Sequence, residues 1–245
     1  MTAGCAAEPS ERCVVVQGQS MVVRHEPRWH ASVAILAALL LYVTLPPRLT
    51  IGPVWAAPAL VLLVLIPLSI LEPRRMKETR RTRFWSIMLI ALVNFFNLTS
   101  VLLLIAHFFH PDKALIHSAA DLMRIGAQIW LTNILVFALW FWELDGDGPD
   151  ARAHATKATE IRNADFLFPQ MELMYTNSPA ARCIDPLWKS QFLDYLYLSL
   201  TNALAFSPAD VMPLSRWAKT LMGIEALISL ITIAIVLARS VSLLA

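Results

Sequence analysis

The stretch FWSIMLIALVNFFNLTSVLLLIAHFF, Phe84 to Phe109, decides how this chain is read. It holds no Asp, Glu, Lys or Arg and exceeds the roughly 20 apolar residues that a membrane helix needs. The rest of the composition agrees: 57% of the residues are hydrophobic and 16% charged, with a mean hydropathy of +0.58, too apolar for an ordinary soluble domain. The chain is therefore expected to be all-α, a polytopic helical membrane protein.

Immediately upstream lies EPRRMKETRRTR, where Arg74, Arg75, Lys77, Arg80, Arg81 and Arg83 crowd two span ends. Positive charge at span ends orients a membrane protein, and this loop is expected on the cytoplasmic side. Further back, Ala31 to Leu45 is a short first span closed by Pro46-Pro47, and Pro53 to Leu71 is a second, carrying Pro58 and Pro67. The two form an expected hairpin. Residues 1–30 are mixed polar and read as a flexible cytoplasmic tail rather than a cleaved signal peptide. Within them CVVVQGQSMVV is a candidate short strand or partner-binding segment.

Downstream, a fourth span runs from about Ile125 to Trp142, with KALIHSAADLMR as an amphipathic lead-in, so that residues 31–143 make a four-span region. Residues 144–190 form a polar connector, opened by ELDGDGPDARAHATKATE and expected to be partly mobile. Inside it DFLFPQ, Asp165 to Gln170, is an apolar patch suited to dock on the membrane surface or on the helices. The last part, residues 191–245, holds a short aromatic-rich apolar segment, Phe192 to Phe206, then a turn and a final span from about Trp217 to Leu237. The expectation is five spans plus a short pore-helix-like or sixth membrane segment.

The order of short aromatic helix, Thr-led turn, Pro, Ser-Arg and long apolar helix, Phe192 to Leu237, resembles the pore module of potassium-type channels. In that module a pore helix feeds a T-x-V-G-Y-G filter before a Gly-Arg-opened inner helix. Thr201 falls where the filter threonine begins, and Ser215-Arg216 where the inner helix opens. FWELDGDGP, DFLFPQ and FLDYLYLSLTNALAFSPADVMPLSRWAK also look like a group of uncharacterised bacterial multi-span membrane proteins with the same pore-like last third. The resemblance implies a homo-oligomer around the last two apolar elements, with small inorganic ions as possible cargo. The chain departs from the channels at the filter: Asn202, Ala203, Leu204, Ala205 and Phe206 replace Val-Gly-Tyr-Gly, and no glycine occurs from Pro149 to Met222. A carbonyl cage needs those glycines, so potassium-type selection is not expected.

Charge sets an orientation. With the N-terminus cytoplasmic and Phe192 to Phe206 re-entrant, sixteen of the twenty basic residues fall on the cytoplasmic side, leaving Arg48, Lys113, Arg124 and Arg239 opposite. A full crossing of that segment changes the count little, so charge leaves both alternatives open.

A carboxylate inside a span is costly and marks function by default, which singles out Glu225. It is either a pore-facing acid or a protonated, hydrogen-bonded structural residue. Thr201, Asn202 and Asp210 complete the candidate ion-contact set, though Asp210 between Pro208 and Pro213 is also ordinary turn chemistry. Asn94, Asn97 and Asn133 suit hydrogen bonding between helices. Asn97-Leu-Thr99 matches a glycosylation pattern but lies within a span. His107, His110 and His117 with Asp112 could bind a metal or sense pH, but helix-end histidines at an interface are commoner than such sites. Asp194, Tyr195 and Tyr197 read as an interfacial belt, and most of the eight tryptophans fall near span ends.

Cys5, Cys13 and Cys183 lack zinc or disulfide spacing. No metal, cofactor or nucleic acid is implied, and no enzyme signature occurs. A carrier with inverted repeats is disfavoured because none is visible. The sequence thus points to passive ion permeation through a non-potassium-selective oligomeric pore. Its alternative is a non-conducting structural or regulatory membrane protein with a degenerate pore-like module.

Overall fold

A computed structural model describes residues 29–71, 80–109, 118–155, 161, 163–176, 178–205 and 210–244. The N-terminal tail, with CVVVQGQSMVV, Cys5 and Cys13, lies outside these residues, as do His110, Asp112, His117 and most of the basic loop. The described chain is a helical bundle. Its long members are α1 (Trp29–Val43), α2 (Ala56–Leu71), α3 (Arg80–Phe109), α4 (Ala119–Leu144) and α8 (Arg216–Leu244). Between α4 and α8 come α5 (Pro149–His154), strand β1 (Phe166–Leu167), α6 (Pro169–Tyr175), α7 (Phe192–Ala205) and strand β2 (Met212–Pro213).

Among the described residues, three segments are long and apolar enough to cross a membrane: Thr82–Phe109, Ala119–Asp147 and Arg216–Val241. The helices α1 and α2 are apolar but shorter; the 15 residues of α1 rise only about 22 Å at 1.5 Å each. The second helix starts at Ala56 rather than at Pro53, which puts Pro58 in the first turn. There its missing N–H breaks no hydrogen bond, because the first four amides of a helix have no partner within it.

The centre of the bundle is α4, which packs against α1, α3, α7 and α8. Ser118 caps its start by accepting from the Asp121 amide at 3.1 Å, a helix-opening contact of the expected kind. Its flank binds the turn between α1 and α2 indirectly through α3, where Ser100 Oγ donates to the Leu49 carbonyl at 2.9 Å. The last helix, α8, buries one stripe, Ala218, Met222, Glu225, Ser229, Thr232, Val236 and Ser240. Steps of three and four residues put these on one face, and the opposite face exposes Trp217, Ile224, Leu227, Leu230 and Leu237. Exposed apolar side chains of this kind suit lipid contact.

Contacts fix the directions of the last helices. Gly126 of α4 lies against Val236 while Asn133 reaches Ser229, so α8 runs antiparallel to α4. Tyr195 of α7 meets Asp145 and Ser199 meets Ile134, so α7 is antiparallel to α4 as well. Both α7 and α8 therefore run the same way from the same end of the bundle. At that end β2 pairs antiparallel with β1, Phe166 opposite Pro213 and Leu167 opposite Met212. The Leu214 amide adds a bond to the Asp165 carbonyl at 2.8 Å. The chain thus enters the bundle through α7 and is back at its starting end by β2.

The polar connector contributes more to packing than its composition suggests. Phe166, Phe168 and Met171 belong to the main core. The Phe166 ring lies 5.2 Å from Phe141, and Phe168 lies 5.3 Å from Tyr195. The DFLFPQ patch accordingly docks on the ends of α4 and α7.

Candidate functional site

Two buried polar clusters stand out, one at the bundle end and one in its interior. The first gathers around Asp145, where α4 stops. Its Oδ1 accepts from the amides of Asp165 at 2.6 Å and Phe166 at 3.2 Å, and its Oδ2 accepts from the Tyr195 phenol. Arg152 of α5 donates to the Asp145 backbone carbonyl, and its guanidinium carbon lies 5.0 Å from the centre of the Tyr195 ring. Ser190 Oγ shares a hydrogen bond of 2.8 Å with the same phenol. Asp145, Arg152, Ser190 and Tyr195 are all buried. The turn that allows this is built on Gly146, whose φ of +57° is left-handed and favours glycine. A cluster of opposite charges, buried and hydrogen-bonded to the backbone, fastens the connector to the helices.

This cluster corrects one expectation. Tyr195 does not belong to an interfacial belt: it is completely buried, because Asp145 and Ser190 satisfy its hydroxyl inside the bundle. Its neighbour Tyr197 is exposed, as a belt residue would be.

The second cluster lies deeper. Glu225, at 0% exposure, faces α7: its Oε2 accepts from Asn202 Nδ2 at 2.7 Å, and its Oε1 meets the Ser199 hydroxyl. The second amide hydrogen of Asn202 goes to the Met222 carbonyl at 2.9 Å. Ser199 Oγ also lies 2.8 Å from the Ile134 carbonyl of α4. One turn along the same face of α8, Asn133 Nδ2 donates to Ser229 Oγ at 3.1 Å and to the Glu225 backbone carbonyl at 3.4 Å. Asn97 of α3 extends the chain with a long bond of 3.4 Å to Asn133 Oδ1. Side chains from α3, α4, α7 and α8 thus form one connected polar seam.

Of the four candidate ion-contact residues, the fold brings Asn202 and Glu225 together and separates the other two. Thr201 is half-buried, and its hydroxyl bonds to carbonyls of its own helix, Tyr197 at 2.9 Å and Leu198 at 3.0 Å. Asp210 is exposed just before β2. Among the interhelical asparagines, Asn97 and Asn133 pair, whereas Asn94 Oδ1 has no hydrogen-bond partner among the described residues. His107 is half-buried at the end of α3. Among the described residues, no three His, Cys, Asp or Glu side chains are placed to hold a metal.

Sequence reasoning passed over Ser199, Ser229, Asp145 and Arg152. A signal existed for the serines: Ser199 stands four residues after Tyr195 and three before Asn202, and Ser229 four after Glu225, so each shares a helix face with a singled-out residue. Comparison of the chain with protein-family models, curated proteins and solved structures finds no match.

Proposed function

We propose that this chain is a non-conducting, multi-pass protein of the cytoplasmic membrane, structural or regulatory in role, in which α7 is a short re-entrant helix docked inside its own subunit. The observation that carries this is the Asn202–Glu225 hydrogen bond, with the two residues only 2% and 0% exposed. A conducting role asks these side chains to face a shared aqueous axis; here their hydrogen bonds go to one another and to the same chain. Spans at α1, α2, α3, α4 and α8, a cytoplasmic N-terminus and a homo-oligomer in the bilayer complete the proposal. Its orientation rests on the basic loop before α3.

Permeation along an oligomer axis is the second reading, and one observation favours it: Asp210 is exposed beside the re-entrant segment. Ion flux into liposomes distinguishes the two. Potassium, sodium and chloride gradients are compared for wild type, Glu225→Gln and Asp210→Asn. The expected result is no protein-dependent flux in any of the three. Flux that either substitution abolishes or re-tunes overturns the proposal in favour of a pore.

A further inference from the structure

The interior cluster presents a shortage of hydrogens. Ser199 has one hydroxyl hydrogen and two oxygens in reach, the Ile134 carbonyl at 2.8 Å and Glu225 Oε1. A carbonyl has no hydrogen to give, so when Ser199 donates to Ile134 its contact with Oε1 is a hydrogen bond only if Oε1 carries one. The other half of the carboxyl is an acceptor. The Met222 carbonyl, 2.9 Å from Asn202, requires the amide nitrogen on that side, and this nitrogen is also the atom 2.7 Å from Oε2. With a hydrogen on Oε1 the chain closes without a gap: Glu225 to Ser199, Ser199 to Ile134, and Asn202 to both Oε2 and Met222.

Among the described residues, the surroundings supply no charge to favour a carboxylate. Facing Glu225 are Ser199 and Asn202 from α7, the Ile134 carbonyl and Asn133 from α4, and Ser229 one turn along α8, with Asn97 of α3 one bond further. The described ionisable side chains of the same helices lie towards their ends or on exposed faces: Arg83 and His107 on α3; Asp121, Arg124 and Glu143 on α4; Asp194, Tyr195 and Tyr197 on α7; Arg216, Lys219 and Arg239 on α8. An ionised group buried without an opposite charge is strongly disfavoured.

We propose that Glu225 is a proton-binding site, a neutral carboxylic acid whose hydrogen on Oε1 bonds Ser199, and whose deprotonation loosens α7 from α4 and α8. The proposal rests on the internal docking of α7 put forward above and extends it by naming the ligand. The sign follows from linkage: the docked arrangement uses the protonated form, so docking weakens as pH rises and the proton is lost.

Infrared titration of the full chain in lipid nanodiscs tests it. The expected result is a carboxylic-acid carbonyl band at neutral pH that Glu225→Gln removes and that Ser199→Ala shifts in frequency. Glutamine offers the same pattern of one donor to Ser199 and one acceptor to Asn202, so the first variant keeps the fold's hydrogen-bond count. Ser199→Ala keeps the acid itself. A neutral-pH spectrum unchanged by Glu225→Gln overturns the proposal, and so does a band that Ser199→Ala leaves in place. The coupling is read by hydrogen exchange of the α7 amides, corrected for base catalysis. Protection in wild type should fall in step with loss of the band, while Glu225→Gln holds it constant; an equal fall in both overturns the coupling. Neither measurement reads ion flux, so these outcomes stand apart from the conduction test.

Discussion

Asp145, the residue that ends α4, accepts a hydrogen bond from Tyr195, which lies in the first turn of α7 and 50 positions along the chain. Tyr195→Phe keeps the ring beside Phe166, Phe168 and Arg152 and removes only the hydroxyl. A buried carboxylate oxygen then loses its donor, at a cost of about 1–3 kcal/mol. Tyr195→Ala should cost more, about 3–5 kcal/mol, because a cavity is added. Unfolding of the reconstituted protein by denaturant measures both, and equal stability of Tyr195→Phe and wild type would show that the hydroxyl contributes nothing.

The approach of α4 to α8 depends on the absence of a side chain at Gly126, where an added Cβ would strike the side chain of Val236. Gly126→Ala should destabilise by about 1–3 kcal/mol through overpacking. Val236→Ala in the same chain should restore most of that loss, since it vacates the colliding atoms. A double mutant no more stable than Gly126→Ala would place the cost elsewhere.

At Gly146 the constraint is both conformational and steric. Its φ is +57°, and a Cβ there would lie 2.6 Å from Ile161 Cγ2 and 3.1 Å from Arg152 Cγ. Gly146→Ala should cost at least about 1–2 kcal/mol for the left-handed backbone alone. Release of the packed connector accompanies it, and limited proteolysis between α5 and α6 measures that release. Cleavage at the wild-type rate would contradict the role given to this turn.

The Asn97 to Asn133 contact is long and should be weak. Single alanine substitutions and the double mutant form a cycle whose coupling is expected near 0.6 kcal/mol, the average for such bonds in membranes. A coupling of several kcal/mol would mean that the pair carries more of the seam than its 3.4 Å separation indicates.

The long apolar helices were legible from composition alone, because length and the absence of charge suffice to mark Phe84 to Phe109. Asn94, Asn97 and Asn133 were legible as candidates for bonds between helices, since a buried amide in an apolar span needs a partner. Which of them pair was not: Asn97 meets Asn133, and Asn94 Oδ1 meets no hydrogen-bond partner among the described residues. That Asn202 meets Glu225 was not legible either, because it depends on α7 and α8 running parallel, which no local pattern encodes. Asp145 was hidden for another reason: Asp before Gly-Asp-Gly-Pro reads as solvent-facing turn chemistry, and only the arrival of Tyr195 and the Asp165 and Phe166 amides turns it into an anchor. Tyr195 was misplaced by the same ignorance, since a tyrosine near a span end suits the interface unless something inside accepts its hydroxyl.

The shared starting end of α7 and α8 constrains how the protein is made. In the proposed re-entrant arrangement α7, 14 residues long, is entered and left from one end of the bundle, because β2 pairs with β1 at the end where α7 starts. It is therefore not threaded across the bilayer as an independent span. Its Ser199 and Asn202 acquire their carboxyl partner only once Glu225 has been synthesised, more than twenty residues later. Biogenesis should therefore run out of order. A ribosome-bound intermediate halted before α8 should leave α7 outside the assembled helices and open to water-soluble labelling reagents, and completion of α8 should draw it in.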